Sequence, residues 1–261
     1  MCTELRIACY YSKTDMMHYF RDHFRKRRVN RHIAKCGPHY HFHGVSVNVP
    51  LSAGLGACNA LLQGKYEHDE AVMIIKHLPA SQAVIELGGS LGVVSALIRS
   101  RLATGVRHTV VEANPDVIEI CEKNATSGSN DGSAEIVHAA VYYDGPSARF
   151  HLGRDVHSNA LSEAEVTGRV IDVAAVSLGA LHRRIGAPDR FTLVCDIEGG
   201  EYAIFEHDSA VLKKAGTVIL ELHPQFYKAM GGSESKILNS LEEAGLELVE
   251  RVANVIVYSR P

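Results

Sequence analysis

The chain contains 261 residues, of which 46% are apolar and 22% charged, and its formal net charge is −3. This length suffices for one large α/β domain with an appendage, and the composition is ordinary for a globular protein, so a polycation is excluded. No stretch approaches the ~18 apolar residues that a bilayer crossing needs, so the sequence predicts a soluble cytoplasmic protein with no membrane partner.

The charge is unevenly distributed along the chain. Residues 21–35 contain seven basic residues against one acidic residue, Asp22, a local charge of +6 that leaves −9 for the remainder. A solvated helix face is the first interpretation of this basic run. An anionic-substrate site, a nucleic-acid patch and a subunit contact remain open, the last of these in a possible homo-oligomer.

Residues 1–80 are predicted to form a small N-terminal cap. Ser12 or Thr14 can cap a first helix, and the alternating apolar residues from Tyr40 to Val49 predict one strand. Helices are predicted at about 53–63 and 67–78. His39, His41 and His43 alternate with other residues, a spacing that could bind zinc, but no fourth ligand is evident and an edge strand over the pocket is preferred.

A strand–turn–helix unit opens the second predicted domain, residues 81–261. Residues 82–87 form an apolar run typical of a strand buried on both faces, and residues 91–102 follow a helical period. Between them lies the Gly88–Gly92 turn, where glycine lets the backbone approach a ligand closely. The turn lacks the glycines of a dinucleotide fingerprint, since Ser90 and Val93 occupy those positions.

Two acidic strand ends indicate which ligand this turn binds. Glu86 ends the first strand, where a carboxylate would repel a pyrophosphate but suit an ammonium or sulfonium. Glu112 ends the next strand, about 20 residues on, where it can accept both ribose hydroxyls. An adenosine with a cationic tail and no phosphate is S-adenosylmethionine, although any α/β core contains similar strand–turn–helix units.

The rest of the chain continues the alternation of strands and helices. A helix is predicted to start at Asn114-Pro115, and residues 144–168 are a polar insertion with no assigned structure. Further strands are predicted at the ranges 134–141, 191–196, 217–222, 246–252 and 254–259. The expected fold is therefore α/β, a Rossmann-like, mostly parallel seven-stranded sheet with one antiparallel strand.

Ligands of such sheets bind beyond the carboxyl ends of the strands. Of the five strand ends predicted to face the ligand, four carry an acidic residue and the fifth carries Ala140-Val141. The acids are Glu86, Glu112, Asp196 and Glu221. Several carboxylates at an apolar edge need cationic or metal partners.

The motifs at these strand ends resemble those of FkbM-family S-adenosylmethionine-dependent methyltransferases. The resemblance covers about residues 64–224, and its most specific motif is Asp-x-Glu-Gly-x-Glu. The departures are small: the family often has Asp at the position of Glu86 and Ala at the position of Gly89 or Gly200. The matching pieces are Gly64-Lys65-Tyr66-Glu67, Glu86-Leu87-Gly88-Gly89-Ser90-Leu91-Gly92, Glu112-Ala113-Asn114-Pro115, Asp196-Ile197-Glu198-Gly199-Gly200-Glu201 and Leu220-Glu221-Leu222-His223-Pro224. The resemblance implies a class I methyltransferase fold and O-methylation of a hydroxyl on a sugar, glycan or other small molecule.

Candidate site residues follow from these strand ends. His223 is the first choice for the base, because an imidazole near a carboxylate titrates around neutral pH, with Asp196 and Glu221 as its catalytic partners. The predicted cofactor contacts are Glu67, Glu86, Gly88, Gly92, Glu112, Ala140 and Asp196.

Several alternatives to this interpretation remain. Asp196, Glu198, Glu221 and His223 could hold a divalent ion that acidifies the acceptor hydroxyl, although no metal is the preferred prediction. Glu201 is expected to start the following helix, a structural role. There are two alternative functions. One is a nucleic-acid methyltransferase that uses the basic run 21–35, although nucleic acid is not the expected partner. The other is a non-catalytic cofactor-binding protein.

Overall fold

The computed structural model describes residues 13–127, 131–152, 169–198, 200–228 and 231–261, with side chains described from residue 22 onward. Ser12 and Gly199 therefore lie outside the described residues. The helices are α1 (Lys13–Cys36), α2 (Leu55–Gln63), α3 (His68–His77), α4 (Val93–Arg101), α5 (Ile118–Ala125), α6 (Leu178–Arg184), α7 (Glu201–His207), α8 (Ser209–Leu212), α9 (Pro224–Tyr227) and α10 (Glu234–Glu243). The strands are β1 (His39–Phe42), β2 (Val45–Asn48), β3 (Ala83–Leu87), β4 (His108–Glu112), β5 (Ala134–His138), β6 (Ala140–Val141), β7 (Ser147–Leu152), β8 (Arg169–Val176), β9 (Phe191–Cys195), β10 (Ala215–Glu221), β11 (Glu247–Val252) and β12 (Val255–Ser259).

A seven-stranded sheet with the order β11-β12-β10-β9-β3-β4-β5 forms the centre of the molecule. Neighbours from β10 to β5 pair in parallel, whereas β12 is antiparallel to both β10 and β11. The predicted mostly parallel sheet with one antiparallel strand is thus confirmed. Its central strands are apolar and buried on both faces, as helices on each side of a parallel sheet require.

Helices cover both faces of this sheet. Alternate sheet residues such as Val84 and Ile219 join a cluster with α2, α3 and α4, while Ile85 and Leu193 join a cluster with α6, α7 and α10. The first cluster contains core residues from both sides of the predicted boundary at residue 80. None of the helices in the described part of the chain has both the length and the apolar character that a bilayer crossing requires.

Three predicted element boundaries were wrong. The single strand over 40–49 is a hairpin of β1 and β2, because His43 and Gly44 both have positive φ and reverse the chain. The strand over 134–141 divides at Ala139, after which β6 leaves the main sheet and pairs with β8 in a three-stranded sheet that also contains β7. The described part of the polar insertion, residues 144–152, therefore contains one strand, β7.

The helix predicted to start at Asn114-Pro115 begins three residues after Pro115, at Ile118. The Asn114 side chain accepts a hydrogen bond from the Asp116 N–H at 2.9 Å. This Asx turn competes with the first helical turn and delays the helix.

Candidate functional site

The turn between β3 and α4 passes so close to its neighbours that two of its positions must be glycine. Gly88 has φ +92°, and a Cβ there would lie 1.8 Å from the Asp196 carbonyl oxygen. Gly92 has φ +69°, and a Cβ there would lie 2.5 Å from the Cys121 carbonyl oxygen. The turn therefore holds the ends of β3 and β9 together and leaves its own backbone open toward the cavity above it.

A cleft of about 900 Å³, including its open mouth, lies at the carboxyl ends of β3, β4 and β9. Its walls include the Gly88–Ser90 backbone, the apolar side chains of Val141 and Phe150, and a group of carboxylates. Those carboxylates belong to Glu67, Glu70, Glu112, Asp196 and Glu198. This is the place at which an open parallel sheet binds its ligands.

Glu112 lies on the β4 side of the cleft. Its two carboxylate oxygens accept hydrogen bonds from the Ser90 and Asn114 N–H groups, both at 2.6 Å. Burial raises the pKa of this carboxyl and the backbone donors lower it, with a net rise. Because each carboxylate oxygen has a second lone pair, Glu112 can still accept hydroxyl donors from a ligand.

Glu86 lies beneath the turn, between β4 and α4, rather than in the cleft wall. His108 Nε2 and Ser95 Oγ each lie 2.7 Å from one of its oxygens, and all three side chains are buried. Both carboxylate oxygens therefore have protein partners. The predicted contact between Glu86 and a cationic ligand stays a prediction, and the described geometry gives Glu86 a second role in fixing the turn.

Three carboxylates meet on the β9 side of the cleft. Glu67 precedes α3, Glu70 lies in its first turn and Asp196 follows β9, and their oxygens lie within 4.8 Å of one another. Burial, together with neighbouring negative charges, raises the pKa of Glu70 and of Asp196 well above the usual range. Burial also raises the pKa of Glu198 to about 7. Each of these carboxyl groups therefore holds its proton more tightly than an exposed one.

His223 stands beside this acidic group at the end of β10. Its Nδ1 lies 2.5 Å from Glu201 Oε1, its Nε2 lies 3.5 Å from Asp196 Oδ1, and its backbone N–H donates to the Tyr227 hydroxyl. Burial alone would lower the pKa of His223, but the hydrogen bond and charge of Glu201, with the charges of Asp196 and Glu221, raise it to about 9. The ring is therefore held on one side and presents Nε2 toward Asp196.

Most of the predicted site residues lie together. Glu67, Gly88, Glu112, Ala140 and Asp196 line the cleft. Glu221 and His223 adjoin it, since their ligand atoms lie within 4.8 Å of one another and of Asp196. Gly92 shapes the turn from behind, and Glu86 lies below it.

Sequence reasoning missed two residues of this region. Glu70 was not selected, although it lies three residues after Glu67, a spacing that places both on one side of a helix start. Glu201 does begin α7, as expected, but its side chain is fully buried and pairs with His223. That contact joins residues 22 positions apart, and no local pattern could have indicated it.

The three N-terminal histidines do not form a common ligand set. His39 and His41 are exposed on β1, while His43 lies in the hairpin turn, where its ring stacks obliquely 5.7 Å from that of His68. Within the described ranges, the residue groups with metal-ligand geometry are Asp196 with Glu221 and His223, and Glu67 with Glu70 and Asp196.

Comparison with known proteins gives one strong match. A family model described as Methyltransferase FkbM domain matches residues 88–248. No curated protein matches the chain.

Solved structures with a similar fold include the following three proteins. Magnesium protoporphyrin IX methyltransferase (ChlM) from Synechocystis PCC 6803 with bound SAM is 10% identical, with TM-score 0.43, over 79% of this chain and 83% of that one. Precorrin-6y C5,15-methyltransferase from Geobacter metallireducens GS-15 is 16% identical, with TM-score 0.41, over 76% and 89%. Sp1610 of Streptococcus pneumoniae, a putative tRNA (m1A22) methyltransferase in complex with S-adenosyl-L-methionine, is 10% identical, with TM-score 0.43, over 74% and 72%. The family match alone carries the assignment that follows.

Proposed function

This chain belongs to the FkbM methyltransferase family and is an S-adenosylmethionine-dependent methyltransferase; we propose that it methylates a hydroxyl of a small molecule or sugar. The residues of the cleft suit this cofactor. A glycine turn with no room for a Cβ at Gly88, an acid that can accept hydroxyl donors, and the carboxyl groups gathered on the β9 side of the cleft match an adenosine with a cationic tail.

The pairing of His223 with Glu201 carries the proposal of O-methylation. A hydroxyl is a poor nucleophile unless its proton is removed as the new bond forms. When bound, S-adenosylmethionine supplies a methyl group on a sulfonium centre. His223 Nε2 accepts the acceptor proton, while Glu201 holds Nδ1–H and stabilises the imidazolium that results. Asp196, 3.5 Å from Nε2, and the neighbouring Glu221 orient the acceptor.

The protonation state of His223 must change for this step. With its pKa raised to about 9, the ring is protonated at neutral pH in the absence of ligand. A cationic cofactor placed against the same carboxylates offsets their negative charge and lowers the pKa of the imidazole. Cofactor binding thus prepares the base.

An acceptor assay tests the proposal. The protein is incubated with S-adenosylmethionine labelled in its methyl group and with matched sets of sugars, phenols and amines, and products are separated by mass spectrometry. Methyl ethers are the expected products. Methylated amines alone would contradict the choice of a hydroxyl. Full activity after dialysis into excess chelator would exclude a divalent ion at Asp196, Glu221 and His223 as the activator.

Transfer to nucleic acid is the second candidate, favoured by one feature of α1. Arg27, Arg31 and Lys35 are exposed on the side of the helix opposite the buried Val29. A basic row of this kind binds phosphates with an affinity that falls steeply with salt. Including total RNA in the acceptor assay at two salt concentrations decides between the candidates.

We further propose the division of the chain into a covering region, residues 1–80, and a methyltransferase domain, residues 81–261, in a cytoplasmic protein. Tyr66, Glu67 and Glu70 of the first region line the cleft and can cover the methionine end of the cofactor. The described cysteines, Cys36, Cys58, Cys121 and Cys195, are free thiols, which suits a reducing compartment.

A further inference from the structure

The hydroxyl of Tyr227 contacts the proposed base from behind the cleft wall. Tyr227 ends α9, is 1% exposed, and its ring lies in the apolar cluster that α6, α7 and α10 share with the sheet. The hydroxyl accepts the backbone N–H of His223 at 2.7 Å and donates to Glu201 Oε1 at 3.4 Å. The proton transfer proposed above makes no use of this hydroxyl.

Two donors converge on one oxygen of Glu201. Its Oε1 accepts the His223 Nδ1–H at 2.5 Å as well as the Tyr227 hydroxyl. Burial, together with the charge of Glu201, raises the pKa of the Tyr227 phenol well above its usual range. The hydroxyl therefore keeps its proton and acts as a donor to the carboxylate. The position of Oε1, and with it the direction of the imidazole ring, is set in part by this hydroxyl.

The same hydroxyl holds the backbone where the chain leaves β10. The His223 carbonyl accepts the Phe226 N–H at 3.0 Å, while the His223 N–H is bound by the Tyr227 hydroxyl. Pro224, the first residue of α9, has a fixed φ and no N–H. Because the bond to the His223 N–H is made by a side chain, a substitution can remove it without altering the backbone. Tyr227 thus contacts His223 at its backbone and, through Glu201, at its ring.

We propose that Tyr227 is a positioning residue for His223, whose hydroxyl holds the imidazole ring in the orientation that directs Nε2 toward Asp196. The inference deepens the proposed O-methylation and rests on it for the role of His223 as the base. The dependence of the ring on the hydroxyl can be measured without turnover. Tyr227 acts through His223 and Glu201 and lies outside the cleft lining.

Proton NMR of the ligand-free protein at neutral pH tests the position of the ring. The Nδ1 proton shared with Glu201 should give a resonance downfield of the amide region, which His223→Ala identifies by its loss. Tyr227→Phe keeps the buried ring and removes the hydroxyl. In this variant we expect the resonance to move upfield or disappear, because an imidazole that is no longer held loses its short contact with Oε1.

Tyr143→Phe is the matched control. The Tyr143 hydroxyl donates to Asp208 Oδ2 at 2.7 Å, and Tyr143 is partly buried outside the cleft lining. Its removal should leave the Nδ1 resonance unchanged. Thermal unfolding of both variants should show a cooperative transition with a lower Tm than that of the wild type, because each change leaves buried hydrogen-bonding groups without a partner.

Kinetics with the acceptor found in the assay above connects the ring to turnover. In Tyr227→Phe we expect kcat to fall about 10- to 100-fold, because a base displaced by a fraction of an ångström is poorly aligned with the acceptor proton. The KM for S-adenosylmethionine should change less than about twofold. Tyr143→Phe should change neither constant, so that a loss of kcat in Tyr227→Phe alone is not a general effect of lower stability.

Other results would overturn the proposal. An unchanged Nδ1 resonance in Tyr227→Phe would mean that the ring does not depend on the hydroxyl, and a downfield shift would mean that the two donors compete for Oε1. Equal loss of kcat in both variants, or a Tyr227→Phe protein without a cooperative transition, would reduce the hydroxyl to a structural role. A resonance that moves upfield while kcat is unchanged supports the positioning by Tyr227 and contradicts His223 as the base. Failure of the inference is thus distinguished from failure of the proposed function.

Discussion

At the residue scale, replacing His223 should affect turnover and cofactor affinity to different extents. In His223→Ala we expect turnover to fall by about two to four orders of magnitude, with little change in affinity for S-adenosylhomocysteine. Because only the neutral ring accepts a proton, wild-type turnover should rise with pH, with a midpoint below about 9 once the cationic cofactor is bound. The variant should lose this acidic limb. His41→Ala, on the exposed hairpin, is the control, and a variant with weak cofactor binding but near-normal turnover would make His223 a binding residue.

The contact of His223 with Glu201 also predicts how stability depends on pH. The folded pKa of His223, about 9, lies above that of an unfolded histidine, about 6.5. The pair therefore stabilises the fold fully below about pH 6.5 and loses this contribution as pH rises through about 9, a difference of up to about 3 kcal/mol. Thermal unfolding between these pH values should show a steeper fall in Tm for the wild type than for Glu201→Gln. Parallel curves would mean that the pair does not titrate in this range.

At the element scale, the turn between β3 and α4 is fixed by contact as well as by dihedral angle. Gly88→Ala should lower the free energy of unfolding by more than about 3 kcal/mol, because its Cβ would overlap the Asp196 carbonyl oxygen. Gly105→Ala has a similar positive φ, +78°, but open space around it, and should cost only about 1 kcal/mol. Urea unfolding of both variants measures the difference. Equal losses would show that the dihedral angle dominates.

The elements that could be predicted are those whose own residues form a recognisable sequence pattern. The buried runs of β3, β4 and β9 follow from periodicity, and acids at strand ends indicated much of the cleft wall. Elements that depend on distant contacts were missed. The departure of β6 toward β8 and the pairing of Glu201 with His223 depend on where separate segments meet, and no local pattern encodes that.

At the scale of the whole molecule, the N-terminal region shares its core with the sheet. Met73 and Ile74 of α3 belong to the same apolar cluster as Ile219 of β10 and Val257 of β12. Expressed alone, residues 81–261 should therefore lack a cooperative thermal transition, since the part of the sheet that α2 and α3 cover would be exposed. Residues 37–261 keep the other described elements and lack α1, which packs mainly on α2 and β1, and should fold with lower stability. A folded 81–261 fragment would show that the covering region is separable.

The position of β12 inside the sheet has a consequence for the growing chain. β12 follows the other described strands in sequence, yet it lies between β10 and β11 and packs beneath α3. During synthesis, the part of the sheet on which α3 packs is incomplete until residues 255–259 have left the ribosome. Glu67 and Glu70, made nearly 190 residues earlier, therefore reach their positions at the cleft only after β12 has been made. A ribosome paused before β12 would hold a nascent chain that cannot yet bind its cofactor.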